Sequence, residues 1–383
     1  MTAFHGPRNF WQRYAFLRRL SLQNLNLASL PRRIAQFAAQ KFLVDEYAAH
    51  PYVKRERFII TDLVFERLPA DETFVILDGG GRDGPGNFRW RAIGDERLVI
   101  YGFEVDHDEC AQLNETFANA GQKYRYFPVA LWGTRQTITV HENNSPGGGS
   151  VFNQNVSLTN RWKFADQHRT MLAPETFFPT NAVDFPATTI DDWAGDNGVS
   201  AIDFLKLNVQ AAELEILKGA SSILPSVLGL QIEVSFVESY LGRPFFSDID
   251  PFLRARGFHF FDLVGRHYIG RARSPVTPQQ TPKLAGIHGQ LIEGHAVYFR
   301  DPIADASATI STERIMKLAS IAEIYGQVEY ALEILEWLAE KLCQNGERER
   351  AAEIVSIRSE ALARYERYMG AKMDVISKSA LRA

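Results

Sequence analysis

The residues best suited to chemistry lie in one short stretch, where a carboxylate is followed at once by glycines. Positions 73–84 read TFVILDGGGRDG, so an apolar run rich in β-branched and aromatic residues leads into Asp78. The glycines that follow are Gly79, Gly80, Gly81 and Gly84. Since glycine has no Cβ and tolerates positive φ, such a loop lets the backbone pass close to a ligand. The stretch predicts a buried strand that presents a carboxylate and a tight turn to a binding site.

A second acid follows at the spacing expected of a nucleoside site. Another apolar run, 98–103, ends in Glu104, which lies 26 positions after Asp78. In a βαβ nucleotide fold, an acid at the tip of the second strand accepts hydrogen bonds from the ribose hydroxyls. The acid precedes the glycines, unlike the G-x-G-x-x-G fingerprint that binds a pyrophosphate. This favours a ligand with a positive group and no phosphate, such as S-adenosylmethionine; a glycine-rich turn without any ligand is the simpler alternative.

Composition indicates a globular protein and excludes several kinds of site. The 383 residues carry a formal net charge of −4, which argues against general binding of nucleic acid. The chain has no apolar run long enough to span a membrane and no secretory signal, so we expect a cytoplasmic protein. Its two cysteines are far apart and its histidines lack metal-ligand spacing, so we expect no disulfide framework and no metal site.

The N-terminal arm is basic, in contrast to the rest of the chain. Residues 1–44 contain seven arginines and lysines and no acidic residue. Apolar residues recur there at helical spacing, so the arm could dock on the catalytic domain or on a second subunit in a homodimer. It could instead make a peripheral contact with anionic lipid, and a mitochondrial presequence has a similar composition.

Strands and helices alternate through the middle of the chain. After the first two strands the pattern predicts a helix over 108–120 and further strands over 124–130, 201–207, 228–236, 258–264 and 294–300. This rhythm predicts a seven-stranded, mostly parallel sheet flanked by helices, with its ligand at the carboxyl ends of the strands. The segment 134–186 between them alternates like an edge strand over 137–141, and its irregular remainder is interpreted as a substrate lid or a mobile insertion.

Three parts follow from this pattern. We predict a basic helical arm over 1–70, an α/β domain over 71–302 and a C-terminal helical hairpin over 303–383. The two helices of the hairpin are predicted at 315–342 and 347–369, on either side of Gly346.

The order of motifs resembles the FkbM family of S-adenosylmethionine-dependent methyltransferases. The matching segments, which cover about 74–300, are VILDGGGRDG, YGFEVDHD, PVALWGT, the GGGS turn, TTIDDWA, IDFLKLNVQAAELEILKGA, LQIEVSFVESYLGRPFFSDIDPFLRARGFHFFDL and GHAVYFR. The resemblance implies a Rossmann-like class I methyltransferase fold and an acceptor hydroxyl on a sugar, a glycan or a glycosylated natural product. It implies cofactor contacts at Asp78, Gly80, Gly81, Gly84, Glu104, Val105, Asp106, Ala130, Leu131 and Asn208.

The fourth-strand motif departs from the family pattern. Where the family commonly reads LKxDxxGAE, this chain has Asn208 in place of the acid and Ala211 in place of the glycine, while Glu213 is retained. The loss of a carboxylate removes one candidate base and argues against a metal there. Two alternatives to a methyltransferase therefore stay open. One is a degenerate domain that binds the cofactor or a partner without catalysis, and the other is a different enzyme on the same sheet, such as a nucleotide-sugar modifier.

Methyl transfer to a hydroxyl needs a base, and the sequence offers two candidates. Glu233 is the first, because it lies in an apolar strand where desolvation raises the pKa of a carboxyl towards neutrality. It could equally be a buried structural acid. His259 is the second candidate. Asn208 could orient the hydroxyl or the methionine end of the cofactor, and Gln210 and Tyr240 could contact the substrate.

Overall fold

The structure is a computed structural model that describes residues 58–82, 90, 93–144, 148–164, 179–271, 289–305 and 310–380. The basic N-terminal arm up to residue 57, Gly84 and residues 145–147 and 165–178 of the segment interpreted as a lid lie outside the described residues. The predictions made for them therefore stay predictions.

Eleven strands are present in the described residues. In chain order they are β1 (Phe74–Gly79), β2 (Leu98–Phe103), β3 (Lys123–Phe127), β4 (Ala130–Leu131), β5 (Gln136–Asn143), β6 (Trp162–Phe164), β7 (Pro179–Thr188), β8 (Phe204–Leu207), β9 (Gly229–Ser235), β10 (Phe258–Arg271) and β11 (Gln290–Arg300).

Nine α-helices accompany these strands in the same part of the chain. They are α1 (Ile59–Phe65), α2 (His107–Asn119), α3 (Val156–Thr159), α4 (Ile190–Asp196), α5 (Glu213–Lys218), α6 (Phe246–Arg254), α7 (Thr312–Ile324), α8 (Val328–Gln344) and α9 (Arg348–Ala380).

The main sheet confirms the predicted architecture. Its strand order is β3-β2-β1-β8-β9-β11-β10-β6, and the pairs from β3 to β9 are all parallel. β11 runs antiparallel to both β9 and β10, and the short β6 adds an eighth strand at the edge, antiparallel to β10. Phe74 and Leu77 of β1 are completely buried, as expected for a central parallel strand covered on both faces. The fold is that of a Rossmann-like class I methyltransferase.

The segment interpreted as irregular contains a second sheet. β5 and β7 form a long antiparallel ladder, and β4 pairs in parallel with β7. The predicted strand 124–130 is correspondingly divided, because it ends at Phe127 and Ala130 already belongs to the second sheet. The paired residues lie 36 (Asn143 and Pro179) to 51 (Gln136 and Ala187) positions apart, so their pairing is a tertiary event, and the local pattern showed only the alternation of β5.

The C-terminal region has three helices where a hairpin of two was predicted. The predicted helix 315–342 is interrupted at Gly326, whose φ of +84° lies in the left-handed region and ends α7. These helices belong to the same core as the sheet. Glu323 of α7 accepts hydrogen bonds from the backbone N–H groups of Ile60 and Thr61 at 2.9 and 2.7 Å, which caps the start of α1.

A bilayer-spanning helix is absent from the described part of the chain. Even α9, the longest at 33 residues, carries charged side chains throughout.

Candidate functional site

A cavity of about 410 Å³ opens where the carboxyl ends of the central strands meet the second sheet. This is within the range of small-ligand sites and at the edge where an open α/β sheet binds its ligand. Its walls come from the glycine loop, the β2–α2 connection, β4, the second sheet and the β8–α5 turn. The lining residues are Gly80, Arg82, Phe103, Glu104, Val105, Asp106, Val129, Ala130, Leu131, Ile138, Val140, Glu142, Asn143, Asn144, Gly149, Ser150, Val151, Phe185, Asn208, Val209, Gln210 and Ala212.

The glycine loop is packed directly against the strand tip of β8. Gly80 has a φ of +79°, and a Cβ there would lie 2.0 Å from the carbonyl oxygen of Asn208. The Asn208 N–H in turn donates to the Gly79 carbonyl at 3.0 Å. A Cβ on Gly81 would lie 2.4 Å from the ring of Tyr126. Glycine is therefore required at positions 80 and 81 for the loop to turn between its neighbours.

Asp78 supports this loop and does not line the cavity. Its side chain is buried, and the Lys206 Nζ atom lies 2.7 Å from its Oδ1 atom. The same ammonium donates to the Gly80 carbonyl at 3.0 Å. The approach to Oδ1 is close but poorly aligned, so this oxygen accepts no hydrogen bond from the described residues. The sequence suggested that Asp78 contacts a cationic ligand. In the structure its carboxylate is instead paired with the Lys206 ammonium of β8.

Glu104 lies on the cavity wall with only 7% of its surface exposed. Its Oε1 atom accepts a hydrogen bond from the Asp106 N–H at 2.9 Å. Burial raises the pKa of this carboxyl, against the opposing effects of that hydrogen bond and of Arg82. Asp106 accepts from the N–H groups of Asp108 and Glu109 and so caps α2. Glu104 is thus the acid that lines the cavity, while Asp106 stabilises the helix beside it.

An apolar slot lies next to Glu104. Val105, Ala130 and Leu131 form one side, and Ile138 and Val140 of β5 with Phe185 of β7 form the other. Sequence reasoning identified the first side and missed the second. The alternation of residues 137–141 was the available signal, but it did not indicate what the strand would cover. The slot is apolar on both sides, as a site for a flat aromatic ring would be.

A polar cluster extends from the cavity wall at Asn208 and Gln210 to the region beyond the tip of β8. It consists of Asn208, Gln210, Glu233 and His295, and we call it the Asn208 cluster. The Asn208 Nδ2 atom is 3.5 Å from the His295 Nε2 atom. The Gln210 Nε2 atom is 3.4 Å from both Asn208 Oδ1 and Glu233 Oε2. Since Glu233 and His295 are register partners on β9 and β11, the sheet itself holds these groups together.

Glu233 is buried behind Gln210 and is not part of the cavity wall. Burial, followed by the charges of Glu293 and Glu213, raises its pKa well above the ordinary value, and Arg243 and Lys206 oppose this. Its Oε2 atom accepts from the Gln210 amide, so the carboxyl reaches the cavity only through Gln210. The geometry therefore favours the alternative of a buried structural acid over that of a base.

His295 and His259 lie on the neighbouring strands β11 and β10, but at different positions along them. Burial, followed by the charges of His267 and Lys206, lowers the pKa of His295 to about 4, which keeps the ring neutral at pH 7. His259 pairs with Phe299, four residues along β11 from His295 and so about 13 Å away. The structure does not bring His259 to the cavity. Sequence reasoning did not assign a role to His295, because its neighbours depend on strand register.

The β8–α5 turn that carries Gln210 is strained and firmly held. Gln210 and Ala211 have φ values of +56° and +87°, which side-chain-bearing residues rarely adopt. Ser150 Oγ donates to the Gln210 carbonyl at 2.6 Å, and the Tyr240 hydroxyl lies 3.0 Å from Gln210 Oε1. Glu213 Oε1 accepts from the Val209 N–H at 2.9 Å. These three contacts hold the turn in place. The Gln210 amide nitrogen therefore stays close to Asn208 and Glu233.

The described residues could hold a nucleoside. Glu104 would offer a buried acceptor to ribose hydroxyls and the slot an apolar surface to an aromatic base, and the glycine loop leads from there towards Asn208. Within the same residues, no group of three or more histidine, cysteine, aspartate or glutamate side chains is arranged to hold a metal ion.

Known proteins resemble this chain in sequence and in structure. Residues 78–260 match the family described as the methyltransferase FkbM domain. The 2-O-methyltransferase NoeI of Sinorhizobium fredii is 23% identical over 169 residues, which are 44% of this chain and 66% of that protein. TehB from Haemophilus influenzae is similar at 8% identity and a TM-score of 0.28, over 67% of this chain and 66% of that one. A SAM-dependent methyltransferase from Aquifex aeolicus is similar at 12% identity and a TM-score of 0.23, over 63% and 90% respectively.

The family match and the cavity coincide. The matched segment begins at Asp78 and contains the glycine loop, Glu104, both sides of the apolar slot and the β8–α5 turn. S-adenosylmethionine is the nucleoside with a cationic tail that this family uses, in agreement with the cofactor expected from the sequence. Residues 78–260 of this chain belong to the FkbM family of S-adenosylmethionine-dependent methyltransferases.

Proposed function

We propose that this chain transfers the methyl group of S-adenosylmethionine to a hydroxyl of a sugar, a glycan or a glycosylated natural product. The observation that carries the proposal is the single cavity that joins Glu104, the apolar slot and Asn208. The printed name of the NoeI relative, a 2-O-methyltransferase, supports oxygen as the acceptor atom.

The polar end of the cavity suits a neutral, hydroxyl-rich acceptor. Asn208 and Gln210 line it with amide groups, which both donate and accept hydrogen bonds as sugar hydroxyls do. The apolar slot and the glycine loop occupy the other end, which leaves the Asn208 end for the acceptor. These features support a sugar more than a charged or purely apolar substrate.

The chemistry required of the chain is mainly orientation. When bound, S-adenosylmethionine supplies an electrophilic methyl group. The side chains around Asn208 would hold the acceptor oxygen in line with that group and in near contact, which can supply much of the rate. They would also keep water away and remove the hydroxyl proton as the new bond forms.

Calorimetry with S-adenosylmethionine tests the cofactor site. Glu104→Ala is expected to weaken binding by about tenfold or more, because a hydrogen bond to a charged group contributes about 1.5–3 kcal/mol. The matched control is Asp108→Asn, a change to an exposed acid in the first turn of α2, which should leave the affinity unchanged. An absence of binding by the unmodified chain would contradict the proposal.

Transfer of labelled methyl groups tests the acceptor. The unmodified chain with labelled S-adenosylmethionine should methylate one or more members of a panel of free, nucleotide-linked and oligomeric sugars. Binding of the cofactor without transfer to any of them would support the alternative of a binding module without catalysis. Transfer only to non-sugar hydroxyls would retain the enzyme and reject the acceptor class.

A further inference from the structure

We propose that His295 is the general base of the reaction and that Asn208 sets the state of its imidazole. The proposal rests on the proposed function and deepens it, since it names the group that takes the proton from the acceptor hydroxyl.

The position of the ring carries the argument. His295 is not itself part of the cavity wall, but its side chain is partly exposed, and its Nε2 atom lies 3.5 Å from the Nδ2 atom of Asn208, which lines the cavity. An amide nitrogen donates, so this contact places a lone pair on Nε2 and the ring proton on Nδ1. A contact of this length is weak, and an acceptor hydroxyl placed beside Asn208 can replace it.

The neighbouring backbone leaves room for the imidazole. A Cβ on Gly265 of β10 would lie 2.7 Å from His295 Nδ1, so a side chain at this position would press on the ring. Gly265 itself has a φ of +58°, and the β10–β11 ladder shifts its register between Val264 and His267. The irregularity in β10 therefore lies where the ring needs space.

The charges around the ring come from four strands. Lys206 of β8 and His267 of β10 disfavour an imidazolium, whereas Glu293 of β11 favours it. Glu233 of β9 is the cross-strand partner of His295, and burial raises the pKa of its carboxyl. His267 and Glu293 are paired with each other at 2.6 Å, which reduces the effect of both on the ring. The neutral imidazole that results is the form a base requires.

This arrangement assigns a consequence to the departure at position 208. An aspartate there would place a negative charge against His295, raise the pKa of the ring, and itself be a candidate proton acceptor. Asparagine keeps the shape of the side chain and removes the charge. The proton acceptor in this chain is then a histidine on β11 and not an acid at the tip of β8.

The step balances as a displacement with proton transfer. The acceptor oxygen forms a bond to the methyl carbon while the carbon–sulfur bond breaks, and that electron pair stays on sulfur. The hydroxyl proton passes to His295 Nε2. The imidazolium so formed lies near the carboxylate of Glu293 and loses its proton to solvent after the products leave.

Histidine NMR of the full chain, labelled with ¹⁵N and free of acceptor, tests the state of the ring without an activity assay. The His295 resonance, assigned by its loss in His295→Gln, should show a neutral ring at pH 7 with the proton on Nδ1. Asn208→Asp should raise its titration midpoint by about 1–3 pH units, the usual effect of an adjacent opposite charge. A protonated His295 in the unmodified chain at pH 7, or a midpoint unmoved in Asn208→Asp, would overturn the proposal.

Kinetics with labelled S-adenosylmethionine and the best acceptor of the sugar panel test the role in catalysis. His295→Gln should lower kcat by about 10²–10⁴-fold, the usual contribution of a general base, with cofactor affinity unchanged. His259→Gln, at a different position along the neighbouring strand β10, should leave kcat unchanged. In Asn208→Asp the acidic limb of the kcat profile should move up in pH together with the NMR midpoint.

These outcomes separate the base from the function. Transfer by the unmodified chain at a rate that His295→Gln retains would reject His295 and keep the methyltransferase. No transfer by the unmodified chain would reject both. If His295→Gln fails to fold, Asn208→Asp still tests the proposal. In that variant, an acidic limb of the kcat profile that does not move with the His295 NMR midpoint would reject His295 as the base.

Discussion

At the scale of single residues, two departures in one motif have different consequences. Asn208 changes the charge at the tip of β8, where it contacts His295 and lines the cavity. Ala211 changes only the backbone energetics, because its φ of +87° belongs to the region that favours glycine. The first concerns chemistry and the second concerns stability, so the two can be tested separately.

Ala211→Gly is expected to stabilise the protein by about 1 kcal/mol. Relief of strain in this region gives about 1–3 kcal/mol, and the larger entropy of glycine in the unfolded chain removes part of it. The measurement is the urea midpoint at constant m-value. The control is Ala212→Gly, where φ is −81° and the same change should destabilise the protein. Equal destabilisation by both variants would contradict the strain at position 211.

Stability should depend on pH through His295. Its pKa falls from 6.5 to about 4 on folding, so the unfolded chain binds more protons between these values. The contribution of the neutral ring is fully present above pH 6.5 and is lost as the pH falls through 4. Urea midpoints should therefore fall less steeply from pH 7 to pH 4 in His295→Gln than in the unmodified chain. Parallel curves for the two proteins would reject the lowered pKa.

At the scale of elements, the site depends on how closely β1 and β8 approach each other. The glycine loop, the Lys206–Asp78 ion pair and the hydrogen bond from Asn208 to Gly79 all join these two parallel strands. Asp78 therefore acts by holding the loop, and Glu104 is the acid that lines the cavity. Asp78 and Glu104 look equivalent in the sequence. They differ in the structure because Asp78 is paired with Lys206 and Glu104 lines the cavity.

Gly80→Ala should damage both the fold and the cofactor site. The new Cβ would meet the Asn208 carbonyl oxygen at 2.0 Å, which forces a backbone shift, and φ is already +79°. We expect a loss of at least about 2 kcal/mol of stability and of measurable S-adenosylmethionine binding. The control is Gly195→Ala in α4, where a Cβ meets nothing within 4 Å and helix propensity favours alanine. Unchanged binding in Gly80→Ala would contradict the packing of this loop.

At the scale of the whole molecule, the C-terminal helices are part of the core that supports the sheet. Lys317 of α7 is buried, forms an ion pair with Asp203 before β8 at 3.1 Å and pairs with Glu72 before β1. Arg314 pairs with the same aspartate at 3.2 Å. The ends of β1 and β8 opposite the cavity are therefore held from the C-terminal region.

Lys317→Met is expected to lower the stability of the entire described unit by about 3 kcal/mol, because it leaves buried carboxylates with fewer partners. Loss of far-UV signal and loss of S-adenosylmethionine binding should occur at the same urea concentration. Arg350→Met, which removes exposed ion pairs with Glu313 and Glu347, should cost less than about 1 kcal/mol. Separate transitions for the helices and the binding site would contradict a shared core.

Local pattern alone determined the alternation of strands and helices, the glycine loop with its two acids, and the departures at 208 and 211. These depend on side-chain periodicity and on backbone freedom, which act over a few residues. Tertiary structure decided the rest. It paired β5 with β7 to cover the cavity, turned Asp78 towards Lys206, buried Glu233 behind Gln210, and brought His295 of β11 next to Asn208. Strand register and burial determine which charges are close together, and both depend on residues far apart in the chain.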